Sequence, residues 1–194
     1  MNPLLKKLIR EYNYLNETLG DVKEISSLAE GKFKSALMEV DPNAIEALVP
    51  KTQDINLEDD NVSMEEVEME IKHNDPRFKK LFRKIAVKCH PDKLGNIVGQ
   101  EAEHLKKIYG ELITANQNYD WAMLLNLAVG LDIEFDDLSD EEIVNVNDNI
   151  DVLRKEILKY ENSMAYSWYT KNDENSRKEY LAACAKIFNK SLED

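Results

Sequence analysis

Apolar residues recur along this chain at steps of three and four, the spacing of one helix face rather than the alternation of a strand. Leu4, Leu5, Leu8, Ile9, Tyr12, Leu15 and Leu19 predict a helix from Pro3 to about Leu19. Gly20 is expected to end or bend it. Val22, Ile25, Leu28, Phe33 and Leu37 mark a second helix over 21–40, weakened at Gly31 by about 1 kcal/mol relative to Ala. The two read as an antiparallel hairpin or part of a bundle. Asp41-Pro42-Asn43 breaks the pattern, Ala44 to Leu48 has room for one turn, and 50–61 is polar and aperiodic, as a linker is. Ser63 with Glu66 is a capping box, so a helix is predicted from Met64 with Val67 and Ile71 inward.

The sharpest pattern lies between Arg77 and Lys93, RFKKLFRKIAVKCHPDK. Phe78, Leu81, Phe82, Ile85 and Cys89 form one apolar stripe. Asp75 is a good N-cap, and Pro76 suits the first helical position because its missing N–H is not needed there. Lys79, Lys80, Arg83, Lys84 and Lys88 lie off the stripe and are expected to face water. Pro91 disfavours the helical conformation for His90 and stops the helix. The segment is therefore a basic amphipathic helix ending at an exposed His90-Pro91-Asp92 tip.

Beyond a loop at 94–100 with flexible Gly95 and Gly99, a return helix is predicted from Glu101, with Leu105, Ile108, Tyr109, Leu112 and Ile113 on its inner face. Asn118-Tyr119-Asp120 breaks it. The next stretch, WAMLLNLAV from Trp121 to Val129, closed by Gly130, is apolar all round and must be covered, with the terminal helices as candidates. Leu131 to Asp137 reads as an acidic connector. Ser139 with Glu142 is a second capping box, opening a helix to about Tyr160. An aromatic corner from Ser163 to Thr170 and a last helix capped by Asn172 or Asp173 complete an αα-hairpin. Tyr166, Trp168 and Tyr169 fit its core better than a peptide cage.

Composition narrows the class. Of 194 residues, 43% are apolar and 32% charged, with six Gly and five Pro, which favours a helical chain over an all-β fold rich in tight turns. Two cysteines, Cys89 and Cys184, are too few for repeated CxxC zinc units and read as buried thiols rather than a disulfide. The N-terminus is too charged for a signal peptide, and no run reaches membrane-spanning length. The net charge of −13 is uneven: Arg77 to Lys93 carries +6, leaving −19 elsewhere. A basic strip on an acidic protein suits an acidic protein surface better than nucleic acid, because long-range repulsion opposes a polyanion. Eight acids between Asp54 and Glu70 precede that strip, where they either solvate a linker or mask the basic face. Catalysis has little to build on. Cys89 and His90 point about 100° apart on a helix, Pro91 splays His90 from Asp92, His73 and His104 lack metal-ligand spacing, and no glycine loop cradles a phosphate.

The basic helix, the His90-Pro91-Asp92 tip and the return helix together resemble the J-domain of DnaJ-like co-chaperones. The resemblance covers about the middle third of the chain. Without a Gly/Phe-rich linker or zinc module, and with added terminal helices, the layout also faintly resembles small J-domain proteins of bacteriophages and large viruses. The segment before the basic helix departs from the family, lacking its Tyr and Leu pair, and the WAMLLNLAV helix replaces a basic, polar one. The resemblance implies an all-α fold: N-terminal helices at 1–49, an acidic linker at 50–62, a J-domain with its antiparallel helix pair at 63–130, and a C-terminal helical hairpin at 131–194. It implies a DnaK-type partner, an ATPase chaperone of the 70 kDa heat-shock class. Lys79, Lys80, Arg83, Lys84 and Lys88 would dock on that chaperone's acidic face, and His90, Pro91 and Asp92 would trigger its ATP hydrolysis. The terminal helices would hold an unidentified client. No cofactor, metal, membrane or nucleic acid is expected, and the setting would be the cytoplasm, or a host's cytoplasm for a viral chain. The alternative is a structural or adaptor protein that keeps the J-domain as a packing or docking module.

Overall fold

The computed structural model describes residues 3–41, 74–93 and 99–193. The turn expected at 44–48, the linker, the helix expected from Met64, the acids between Asp54 and Glu70, and most of the 94–100 loop lie outside them. Among the described residues every regular element is helical. These are α1 (Pro3–Val40), α2 (Pro76–Cys89), a 3-10 turn (Pro91–Lys93), α3 (Gln100–Asn118), α4 (Trp121–Gly130), α5 (Asp140–Glu161), α6 (Met164–Tyr169) and α7 (Glu174–Glu193).

The break expected at Gly20 is absent, since α1 is one helix of 38 residues. A helix-interior glycine costs only about 1 kcal/mol. Buried Leu19 and Val22 on either side keep the apolar face continuous, so packing overrides it. The aromatic corner is also a helix: Ser163 caps α6 by accepting from the Tyr166 N–H at 3.2 Å.

Residues 1–17 and 66–154 form one compact unit, and 18–65 with 155–194 form a second. Segments 1–49 and 131–194 are therefore each divided between the two.

The core of the first unit gathers on α4, where Trp121, Ala122, Leu124, Leu125, Leu127 and Ala128 are all buried. Leu5, Leu8, Ile9 and Tyr12 of α1 share that core, with Phe78, Leu81, Phe82 and Ile85 of α2, Ile108 and Leu112 of α3, and Val146 and Ile150 of α5. Each such side chain contributes about 1.5–3 kcal/mol on full burial. The Phe78 ring meets Trp121 edge-on at 5.3 Å. An apolar helix still has to satisfy its first N–H groups. Asp120 accepts from Met123 at 2.8 Å, and Asn149 of α5 accepts from Trp121 at 3.0 Å and Ala122 at 3.4 Å.

The second unit packs Ala29, Phe33 and Leu37 of α1 against Trp168 of α6 and Leu181, Cys184 and Ala185 of α7. Phe33 meets Trp168 edge-on at 5.7 Å, so the aromatic side chain belongs to a core. Arg177 ties α7 back to α6 by donating to the Tyr169 carbonyl at 3.0 Å. Asp173 supplies the cap of α7, accepting from Ser176 N–H at 2.8 Å.

Candidate docking face and the His90 corner

Local rules set α2 as the pattern predicts. Asp75 Oδ1 accepts from the N–H groups of Arg77 at 2.8 Å and Phe78 at 3.2 Å, and Pro76 opens the helix. Phe78, Leu81, Phe82, Ile85 and Cys89 are its buried residues. The other carboxylate oxygen of Asp75 accepts from Tyr119 Oη, at the end of α3, at 2.8 Å. At the opposite end of α2, the His90 ring packs edge-on against Tyr109 of α3, with centroids 5.4 Å apart. These two contacts set α2 and α3 side by side with opposite chain directions. Burial opposes ionisation of Asp75, but the bonds from Tyr119, Phe78 and Arg77 outweigh it and hold its pKa below the usual value.

His90 leaves the helix with φ −61° and ψ 132°, in extended conformation, as the residue before a proline must. Pro91–Lys93 then makes one 3-10 turn. That turn corrects the expectation that Pro91 splays its neighbours. The Asp92 N–H donates to His90 Nδ1 at 3.3 Å, and Nδ1 lies 3.4 Å from the Asp92 carboxylate. Proline fixes only φ, and a tight turn returns the second polar side chain to the first. His90 is held rather than fully exposed, its side chain 37% accessible against 86% for Asp92. Cys89 beside it is a poor nucleophile: its thiol is buried, donates to the Ile85 carbonyl, and is pushed up by burial to about 11. Cys184 is likewise buried and free. His104 is exposed, and His73 lies outside the described residues.

The five expected docking cations do not form one free face. Steps of three and four sort them into two flanks of α2. Lys79 and Arg83 lie on the side of His90. Arg83 has no hydrogen bond or ion pair among the described residues, and Lys79 reaches only Asn74, at 3.4 Å. Lys80, Lys84 and Lys88 lie on the other flank with Arg77; they are exposed, as expected, but each is also bonded within the chain. Lys80 pairs with Asp136 at 3.2 Å. Lys84 donates to the Glu134 carbonyl at 2.8 Å, Lys88 to the Leu131 carbonyl, and Arg77 to the Asp137 carbonyl. Arg77 Nε also sits 3.1 Å from Glu142, a carboxylate buried at 4% exposure in the second capping box. That box forms as its spacing predicts: Glu142 accepts from the Ser139 N–H at 2.7 Å and donates its own N–H to Ser139 Oγ at 3.3 Å. The hydrogen bond from Lys80, and then its charge, hold the Asp136 carboxyl below its usual range.

Sequence reasoning placed Tyr109 on the inner face of α3 but missed Arg77 and the packing of the segment after α4. The last had a signal. Leu131, Ile133, Phe135 and Leu138 are interleaved with acids, the near-alternation of an extended segment with one side buried.

No protein-family model, curated protein or solved structure matches this chain. Among the described residues no helix is long and apolar enough to cross a membrane.

Proposed function

We propose that the chain is a J-domain co-chaperone that binds a DnaK-type ATPase chaperone and stimulates its ATP hydrolysis through His90, Pro91 and Asp92. The observation that carries this reading is the His90 corner. It closes a basic amphipathic helix, is made rigid by a proline and a 3-10 turn, and is backed by Tyr109 of a helix running the opposite way. Lys79 and Arg83 lie on the same side of α2 as the corner and supply positive charge for an acidic face on the chaperone. The chain contributes position and charge, and the hydrolytic chemistry belongs to the partner. The second unit, together with the stretch before α2, is the place for a client. This account puts the protein in the cytoplasm, or in a host's cytoplasm.

The test is ATP hydrolysis by a purified bacterial DnaK in single turnover. The wild type should accelerate it, and His90→Gln should remove nearly all of the gain while the protein stays folded, because His90 lies outside the core cluster and its ring contact with Tyr109 is worth only about 0.5–1.5 kcal/mol.

A second reading has its own observation. The apolar α4 merges the J-like helices with α1 and α5 into one core, as expected if the pair were kept as a packing module of an adaptor. An adaptor should recover a stoichiometric partner from lysate with no dependence on ATP.

A further inference from the structure

Residues 131–138, LDIEFDDL, leave α4 in a turn at 131–132 and then run without regular secondary structure along one flank of α2. Ile133 is buried in the core, Phe135 and Leu138 are half-buried against it, and Asp132, Glu134, Asp136 and Asp137 are exposed. The segment thus offers three cations of the expected docking set the carbonyl and carboxylate oxygens that an acidic protein surface would offer.

Its hold on α2 is light. Among the described residues no backbone N–H between 134 and 138 donates to a protein group, so no ladder fixes it. A cavity of about 130 Å³ lies under it, lined in part by Leu81, Trp121, Leu125, Phe135 and Leu138. An open groove of about 740 Å³ on its outer side reaches Arg83 and Val87. The Lys80–Asp136 pair is exposed on both sides (62% and 75%), and such pairs contribute little. Asp132 takes a left-handed φ of 51° where the segment leaves α4, a conformation non-glycine residues seldom adopt.

Resting on the co-chaperone reading, we propose that residues 131–138 are an intramolecular competitor: they occupy the Lys80, Lys84 and Lys88 flank of α2, and the chaperone's acidic face gains those cations only by displacing them. Two states follow. In the closed one, docking relies on Lys79 and Arg83. In the open one the whole basic helix is presented. A partner that prefers the open state binds with an affinity reduced by the fraction closed.

The experiment is a binding titration with the same purified DnaK, alongside the single-turnover assay. Asp136→Lys sets like charges beside Lys80 and leaves the core intact. Phe135→Ala removes an apolar hold, and Asp148→Lys on α5 makes the same charge change away from the segment. Asp136→Lys and Phe135→Ala should each bind about 3–10-fold more tightly than wild type, and Asp148→Lys should stay within about twofold. Lys80→Ala with Lys84→Ala should matter more in the Asp136→Lys background than in wild type. If Phe135→Ala melts, the two charge variants decide alone. Stimulation that needs His90, with affinity unchanged by Asp136→Lys or raised equally by Asp148→Lys, overturns the competition and leaves the co-chaperone reading standing. No stimulation by the wild type, or stimulation that survives His90→Gln, overturns both.

Discussion

Both flanks of α2 are basic, with two cations on one and four on the other, and they have different fates. On the side of His90, Lys79 reaches Asn74 and Arg83 has no hydrogen bond or ion pair among the described residues. On the other, Arg77, Lys80, Lys84 and Lys88 are all engaged by residues 131–142. Both flanks read alike in sequence, because charge and helical spacing say which side chains leave the core and not what meets them outside it. A basic helix face is therefore not one functional object. Here one half is offered outward and the other is already answered by the chain's own carbonyls and carboxylates.

The largest expected effect would break this comparison outright. Lys79→Ala with Arg83→Ala should weaken chaperone binding about 3–10-fold at low salt, whereas Lys80→Ala with Lys84→Ala in otherwise wild-type protein should change it less than about twofold. Isothermal titration on both pairs checks this, and equal losses would mean the flanks are not distinct. Added salt should shrink the first loss, because exposed pairs are screened.

A smaller effect concerns what pins the covered flank. Glu142→Ala removes the buried partner of Arg77 and one half of a capping box. It should cost about 1–2 kcal/mol in denaturant unfolding. The Ser139 amide, which Glu142 holds, should also exchange its proton faster while α2 does not. An unchanged denaturation midpoint would show that the Arg77–Glu142 contact holds nothing.

How much of this was legible follows from the range of each interaction. The α2 stripe, the Asp75 cap, the Ser139–Glu142 box and the cover over WAMLLNLAV follow from local chemistry or from an apolar surplus that must be buried. The failures are tertiary. Gly20 lost to the packing of its neighbours in α1. The approach of Asp92 to His90 needed a 3-10 turn that a lone proline does not announce. The covering segment carried its signal in Ile133, Phe135 and Leu138, but Asp132, Glu134, Asp136 and Asp137 among them give it the composition of an acidic connector. The all-helical class was readable throughout, since no stretch sustains a strand pattern with hairpin turns.

The smallest effect tests whether the corner depends on the far end of α2. Asp75→Asn keeps a capping side chain but loses the carboxylate that Tyr119 bonds. The folded Asp75 is depressed below its ordinary value of 3.8, so its contribution is present above that pH and is lost as pH falls through the lower folded value. Asp75→Asn should therefore cost about 0.5–1 kcal/mol near neutrality, and the gap to wild type should close below about pH 3.8. ATPase stimulation at neutral pH should be unaffected. A gap that widens on acidification would contradict the assignment.

The central claim is that His90 triggers while the free flank only docks. The direct measurement is the single-turnover ATP hydrolysis rate of DnaK across a full concentration series of wild type, Lys79→Ala with Arg83→Ala, and His90→Gln. The account predicts that the flank variant needs more protein but reaches the wild-type plateau, and that His90→Gln stays at the unstimulated rate at every concentration. A His90→Gln curve rising to the wild-type plateau would contradict it.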